Sequence, residues 1–507
     1  MLRQPGPPSA PLRSRASRFL RRAAILLGIL YVVLLIPVPE PAPKLNTGQQ
    51  PFVWNQDEFW SELEALFVQA RAAGCDTLAE SIAGAHARIS QTLEEVARGS
   101  LPPDDSRFAT IETNLFHLAP LIAACPARLG DFTALANRMR SEVKKQSQSW
   151  DMNSAAARQR VYRLLFGTRM ALEEIMLQAP AEAAVSELVL CEDAPSQTPS
   201  VVVRGVKLHS GDILLSRGGA PTSSLIARGN DYPGSFSHVA LAHVDASSGR
   251  ASAIESHIEG GVTIATFDDY LADKKLRVLL LRLRPDLPAL KVDPLLPHRA
   301  ATEALAEARG RHIPYDFAMD HRDHRAQFCS EVAAAAYERT GVRLWMGLSW
   351  ISSPTVSAWL GSLGVRHFET QEPSDLEYDP QLAVVAEWWN RAALLKAHAD
   401  DAVTDAMLEE AKPGRPLGYN RLALPAARLA KAWSFGLNQI GKLGPIPEGM
   451  SAATALRVKR FRNDHDIRSD LLLAKAAELE KARGYAPSYL ELTRLARATK
   501  RGAGGQP

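Results

Sequence analysis

With 507 residues, 46% apolar and 23% charged, the chain has the composition of an ordinary folded protein and material for two or three domains. A net charge of +3 does not imply nucleic acid, and no nucleic-acid partner is expected. Four cysteines (Cys75, Cys125, Cys191, Cys329) in so long a chain exclude a disulfide scaffold, and no CxxC or Cys/His spacing suggests zinc.

The chain opens with Arg3, Arg13, Arg15, Arg18, Arg21 and Arg22, followed by an apolar run from Ala23 to Ile36 and then Pro37, Pro39, Pro41 and Pro43. The run is long for a secretory signal and short for a spanning helix of about 20 residues, and no Ala-x-Ala cleavage site follows it. The expectation is an uncleaved, single-pass inner-membrane anchor with the arginines cytoplasmic and the remainder exported to the periplasmic side. Secretion after cleavage is the alternative.

From Trp54 to Pro180 the pattern is that of amphipathic helices, near 57–73, 77–98, 106–124, 132–145 and 154–178, punctuated by Gly74, Gly99, Pro102, Pro103, Pro126 and Gly130. A helical bundle follows from this. Cys75 and Cys125 lie at helix ends, so an exported location permits a disulfide between them, with two unrelated thiols as the alternative. A polar linker spans 192–200.

The texture then changes to short β-forming runs: Val201–Val206, Asp212–Ser216, Ser237–Val244, Ala251–Ser256 and Arg277–Leu283. A helix from Arg299 to Arg309 stops at Gly310, and another begins at Cys329 and is closed by Gly341. Beyond Pro380, helices are expected over 381–399, 402–411, 423–440 and 466–483. Ser488 and Glu491 form a capping box for the last helix, and the end from Arg501 to Pro507 frays. The basic residues of the last fifty fit a solvated helix face or a surface for an anionic polymer or lipid.

In the helix from Cys329, residues Cys329, Val332, Ala333, Ala336 and Tyr337 share one stripe. The helix N-terminus favours thiolate at Cys329. In Ser237-His238-Val239-Ala240-Leu241-Ala242, strand alternation puts His238 on a face with Ala240 and Ala242, where the alanine-rich helix is expected to approach. Glu255 and His257 share a face of the next strand. A thiol, an imidazole and a polar group to orient the imidazole are the minimal parts of a cysteine hydrolase; each residue taken singly also fits an ordinary core or strand-edge position. Asp320-His321-Arg322-Asp323-His324 reads as a solvated turn, and Arg217-Gly218-Gly219 is too sparse for a phosphate loop, so no metal and no cofactor are expected.

The order and wording of these pieces resemble a known family. Leu208-His209-Ser210-Gly211-Asp212-Ile213-Leu214 is similar to its opening Gly-Asp-Ile element, Phe236-Ser237-His238-Val239 to its histidine strand, Ile254-Glu255 to its acidic strand, and Tyr315-Asp316-Phe317 through Phe328-Cys329-Ser330-Glu331 to its nucleophile segment. The family is the YiiX-like group of circularly permuted, papain-fold cysteine hydrolases of the NlpC superfamily, more distantly related to lecithin retinol acyltransferases. The resemblance implies Cys329 as nucleophile, His238 as general base and then acid, Glu255 as the group orienting His238, and Tyr315 at the substrate. His257 departs from the pattern and rivals Glu255 as third member.

The expected architecture is α+β. It comprises a basic segment, anchor and proline spacer (1–43), a helical bundle (44–192), a permuted papain-like NlpC-type hydrolase domain (201–390) and a helical basic C-terminal region (391–507). The expected activity is hydrolysis of a peptide or isopeptide amide, such as a cell-wall peptide. A lipid acyl hydrolase or acyltransferase and a binding module without catalysis are the rival readings.

Overall fold

The computed structural model describes residues 12–38, 48–180 and 187–499, with side chains from residue 19 onward. Arg3, Pro39, Pro41, Pro43 and the end Arg501–Pro507 lie outside the described residues, as do the side chains of Arg13, Arg15 and Arg18.

Helix α1 (Leu12–Leu35) contains most of the N-terminal apolar run. Among the described residues no helix is long and apolar enough to cross a membrane, so the expected spanning anchor finds no support. The reason is length: a helix over Ala23–Ile36 covers roughly 21 Å of a hydrocarbon core of about 30 Å, and Arg21 and Arg22 adjoin it.

The bundle consists of α2 (Asp57–Ala73), α3 (Cys75–Ala97), α4 (Ser106–Ala124), α5 (Leu129–Ser147) and α6 (Ala155–Gln178). Gly74, at φ +80°, separates α2 from α3 without the steric cost other residues would carry there. Asp105 caps α4 through the Arg107 amide, and Ser154 caps α6 through Ala157. Cys75 and Cys125 are joined in a disulfide with Cα atoms 5.4 Å apart. Closing a loop of this length removes unfolded-state freedom worth about 4 kcal/mol. The bundle core contains Phe108, Phe132, Met139 and Ile175 and continues into Tyr378 and Trp389, so bundle and sheet share packing.

The strands are β1 (Leu188–Leu190), β2 (Ser200–Val203), β3 (Val206–His209), β4 (Ile213–Gly218), β5 (His238–Val244), β6 (Ala251–His257), β7 (Gly261–Thr266), β8 (Lys275–Leu283), β9 (Ser349–Trp350), β10 (Glu369–Thr370) and β11 (Leu382–Trp389). Seven of them form one antiparallel sheet in the order β1-β11-β8-β4-β5-β6-β7. Between them lie α7 (Pro221–Arg228), α8 (Phe267–Ala272), α9 (Pro288–Val292), α10 (Leu296–Gly310), α11 (Cys329–Arg339), α12 (Pro354–Leu363) and α13 (Asp375–Tyr378). The chain ends with α14 (Arg391–Glu410), α15 (Leu424–Asn438), α16 (Ala452–Arg483) and α17 (Tyr489–Ala498), the last capped by Ser488 as its sequence indicates.

Two expectations are corrected. Residues 381–399 are not one helix: Leu382–Trp389 is strand β11, and a single helix, α14, follows where two were expected. Val384, Val385, Trp388 and Trp389 favour a pleated surface, and the flanking alanines masked that preference. The second concerns the face of β5 that receives α11. Val332, Ala336 and Tyr337 pack with Val239 and Leu241, while Ala240 and Ala242 face Phe267 and Tyr270 of α8. The larger side chains offer more apolar area to bury, and that outweighs the close approach that alanines allow.

A buried charge cluster ties α6 and α14 to the sheet. The Arg169 guanidinium contacts Glu377 at 2.6 Å and Glu387 at 2.6 Å; Arg277 on β8 pairs with Glu173, which also accepts from His398 Nε2 at 2.7 Å.

Candidate active site

Helix α11 is held at both ends. At its start the Glu331 carboxylate accepts from the Phe328 amide at 2.9 Å, satisfying one of the orphan N–H groups of the first turn. Ser256 Oγ donates to the Gln327 carbonyl at 2.6 Å, and the Gln327 amide donates to Pro314, which fixes the segment entering Cys329 against β6 and the loop before it. At the other end the Tyr337 hydroxyl donates to the Gly211 carbonyl. Gly211 has φ +94°, and a Cβ there would lie 2.3 Å from Pro297 Cβ, so this turn requires glycine. Asp212 next to it is clamped by Arg282 at 2.7 Å and accepts from the His209 amide at 2.8 Å. The Gly-Asp element thus acts as a latch between α11 and the sheet.

Cys329 is the first residue of α11 and is 6% exposed. Its Sγ approaches the β5 backbone on both sides of His238. It lies 4.0 Å from the Ser237 carbonyl, and the Val239 amide stands near enough to lower the thiol's pKa. Burial pushes the thiol up to about 12, against the lowering contacts from Val239 and Ser330. The helix terminus therefore does not by itself make a resting thiolate, and a proton acceptor is required.

The residue between those two contact points is His238. Its Nε2 is 2.7 Å from Glu255 Oε2, which leaves Nδ1 uncommitted by that bond. Burial holds the imidazole below its ordinary value, partly offset by Glu255, so at neutral pH it is uncharged. Burial raises the Glu255 carboxyl, but hydrogen bonds from His238 and His257 overcome this and hold it far below the usual carboxylate range. His257 Nε2 reaches the other oxygen, Oε1, at 3.2 Å; this bond to Glu255 raises the His257 pKa against burial. The two imidazoles stack with centroids 5.3 Å apart. Glu255 is thus the direct partner of His238, and His257 bonds to Glu255 from the outer side.

Tyr315 is partly buried and stacked edge-on against Phe317 at 5.0 Å, and burial, with the neighbouring Cys329 and acids adding to it, holds its hydroxyl well above the ordinary value. Among the described residues, His238, Glu255 and His257 are the group whose ligand atoms lie close enough to share a metal ion, within 4.8 Å of one another. The Asp320–His324 turn is not such a group: His324 pairs with Glu331 and Glu338, each at 3.2 Å, and Arg325 pairs with Asp323. Sequence reasoning gave no role to Ser256 or Glu331. Strand alternation puts Ser256 on the face of Ile254, the one α11 packs on, and a glutamate three residues after Phe328 is a capping signal that was available.

Residues 207–386 match the family described as permuted papain-like amidase enzyme, YaeF/YiiX, C92 family. That span contains every residue of the site. The crystal structure of the metalloprotein yiiX from Escherichia coli O157:H7 is similar at 19% identity, covering 36% of this chain and 98% of that one, with a TM-score of 0.28. No curated protein matches.

Proposed function

We propose that residues 207–386, a YaeF/YiiX-type permuted papain-like amidase domain and hence of cysteine-hydrolase type, cleave an amide through Cys329, His238 and Glu255. The observation that carries this reading is the 2.7 Å bond from His238 to Glu255, made by the residue whose β5 neighbours, Ser237 and Val239, the Cys329 thiol approaches. His238 takes the Sγ proton, and sulfur attacks the substrate carbonyl. The tetrahedral oxyanion is stabilised by the Cys329 backbone N–H at the helix start. His238 returns the proton to the leaving amine as the C–N bond breaks, giving an acyl-thioester. Water, deprotonated by His238, then releases the acid and the thiol. Tyr315 lines the site.

The substrate is a peptide or isopeptide, such as a cell-wall peptide, met outside the cytoplasm. The Cys75–Cys125 disulfide supports an oxidising compartment. Incubating the full chain with muropeptides and, separately, with phospholipids tests this. New amines or carboxylates from muropeptides, absent with Cys329→Ala, support it; release of fatty acid instead would assign a lipid acyl hydrolase.

A second reading, a binding module without catalysis, draws on the burial of the thiol and its high pKa. Labelling of Cys329 by a thiol-reactive probe in the folded protein separates the two, since a module without a nucleophile leaves it unlabelled.

A further inference from the structure

The stretch from Ala411 to Pro447 contains Lys412, Arg415, Arg421, Arg428, Lys431 and Lys442 and no acidic residue. Within it, Leu429 and Trp433 lie one turn apart on α15, and Leu422 and Ile440, seven residues before and after them, stand just before and just after the helix. That face is not packed: Trp433 is 65% exposed, and Leu422, Leu429, Ile440 and the neighbouring Phe435 are equally bare. Contiguous exposed apolar area of this kind, flanked by bases, is the signature of a helix lying in a membrane interface.

Helix α1 extends the same surface. The Tyr31 hydroxyl donates to the Leu422 carbonyl at 3.0 Å. Arg428 donates to the Leu34 and Ile36 carbonyls at 2.9 and 2.7 Å, satisfying groups left open at the end of α1. The apolar side chains of α1, among them Leu26, Leu27 and Val32, are exposed beside α15. With an apolar run too short to span, α1 is placed by these bonds alongside α15.

We propose that α15 and α1 together form a platform that lies in the surface of an anionic phospholipid bilayer. The apolar face enters the acyl boundary, and the acid-free basic segment meets the headgroups, each base near the surface adding favourable attraction. This surface adjoins the candidate active site. Leu443 lies 3.4 Å from where a Cβ of Gly260 would stand, in the turn after His257; His312 pairs with Glu448 at 2.9 Å; and Gly449 abuts Phe317. Docking therefore brings the turn after His257 and the segment around Phe317 close to the bilayer. The platform does not depend on which bond is cleaved.

The test is vesicle flotation of the full chain with phosphatidylglycerol–phosphatidylcholine vesicles and with phosphatidylcholine alone, alongside light scattering. The platform predicts binding to the anionic vesicles that weakens with salt. It also predicts that Trp433→Asp with Phe435→Asp lowers partition about tenfold or more, with an unchanged circular dichroism spectrum and melting temperature. Arg421→Gln with Lys442→Gln weakens binding to anionic vesicles only. Flotation unaffected by Trp433→Asp and Phe435→Asp would overturn the proposal, since α1 alone would then suffice. Absence of vesicle binding, with or without a dimer that these substitutions dissociate, overturns it as well, the dimer identifying the face as a self-interface.

Discussion

His238 and Glu255 meet diagonally across β5 and β6: Ala240 is the residue paired with Glu255, yet His238 Nε2 and Glu255 Oε2 are 2.7 Å apart. The reach is that of a neighbour two residues out of register on the same face, within range of long side chains. The strand position thus aims one imidazole nitrogen at the carboxylate, and His257, continuing past the pair, takes the second oxygen.

This geometry separates the two candidates for third member. Glu255→Gln is expected to lower kcat/KM by about 10²-fold or more, because the neutral amide neither holds the required tautomer nor stabilises imidazolium. His257→Ala is expected to cost less than about tenfold, since His238 keeps its direct partner. Steady-state kinetics on an active substrate decides it, and the reverse ranking would make His257 the third member.

The pH profile follows from the protonation states. The base must be neutral, and burial lowers the His238 pKa, so the acid limb of kcat/KM is expected below the ordinary imidazole value of about 6.5. Glu255 raises that pKa, so Glu255→Gln moves the limb further down. With burial pushing the Cys329 thiol up to about 12, His238→Ala is expected to leave iodoacetamide alkylation slow at neutral pH and rising only in strong alkali. Rates measured across pH for both chains check this.

Zinc is expected to inhibit. His238, Glu255 and His257 have ligand atoms within 4.8 Å of one another, so a zinc ion binding there takes the imidazole needed for proton transfer. Inhibition reversed by EDTA, and weakened by His257→Ala, is the predicted result. Loss of activity on EDTA treatment, restored by zinc, would mean that the ion is part of the mechanism.

Glu331 links stability to pH. Burial raises its carboxyl to about 7, against hydrogen bonds from His324 and Phe328 that lower it. An acid raised in the folded state binds more protons folded than unfolded. Its contribution is therefore lost as pH rises from the unfolded value near 4.3 through 7, by an amount on the order of 3 kcal/mol. Glu331→Gln keeps an acceptor for the Phe328 amide and is expected to remove that slope. Urea unfolding of both chains at pH 4.5 and pH 8 compares them.

Much of this was legible in the residues. The helix from Cys329 to its Gly341 stop, the helix before it, and strands β4, β5, β6 and β8 follow from periodicity and turn chemistry, and alternation set Glu255 and His257 on one face. What could not be read was decided by tertiary packing. The face of β5 that receives α11 depended on the apolar area offered by Val239 and Leu241, and β11 took its form from pairing with β8. The bond from Ser256 to the Gln327 carbonyl joins residues 71 positions apart, which no local pattern records. Likewise the helix terminus at Cys329 suggested a thiolate, but the burial that outweighs it comes from the surrounding fold.

The central claim is that Cys329 carries the acyl group, and intact-protein mass spectrometry during turnover tests it most directly. The account predicts an adduct of acyl mass that maps to the Cys329 peptide and accumulates when Glu255→Gln slows hydrolysis. Turnover that continues in Cys329→Ala, with no adduct on the wild-type chain, would contradict it.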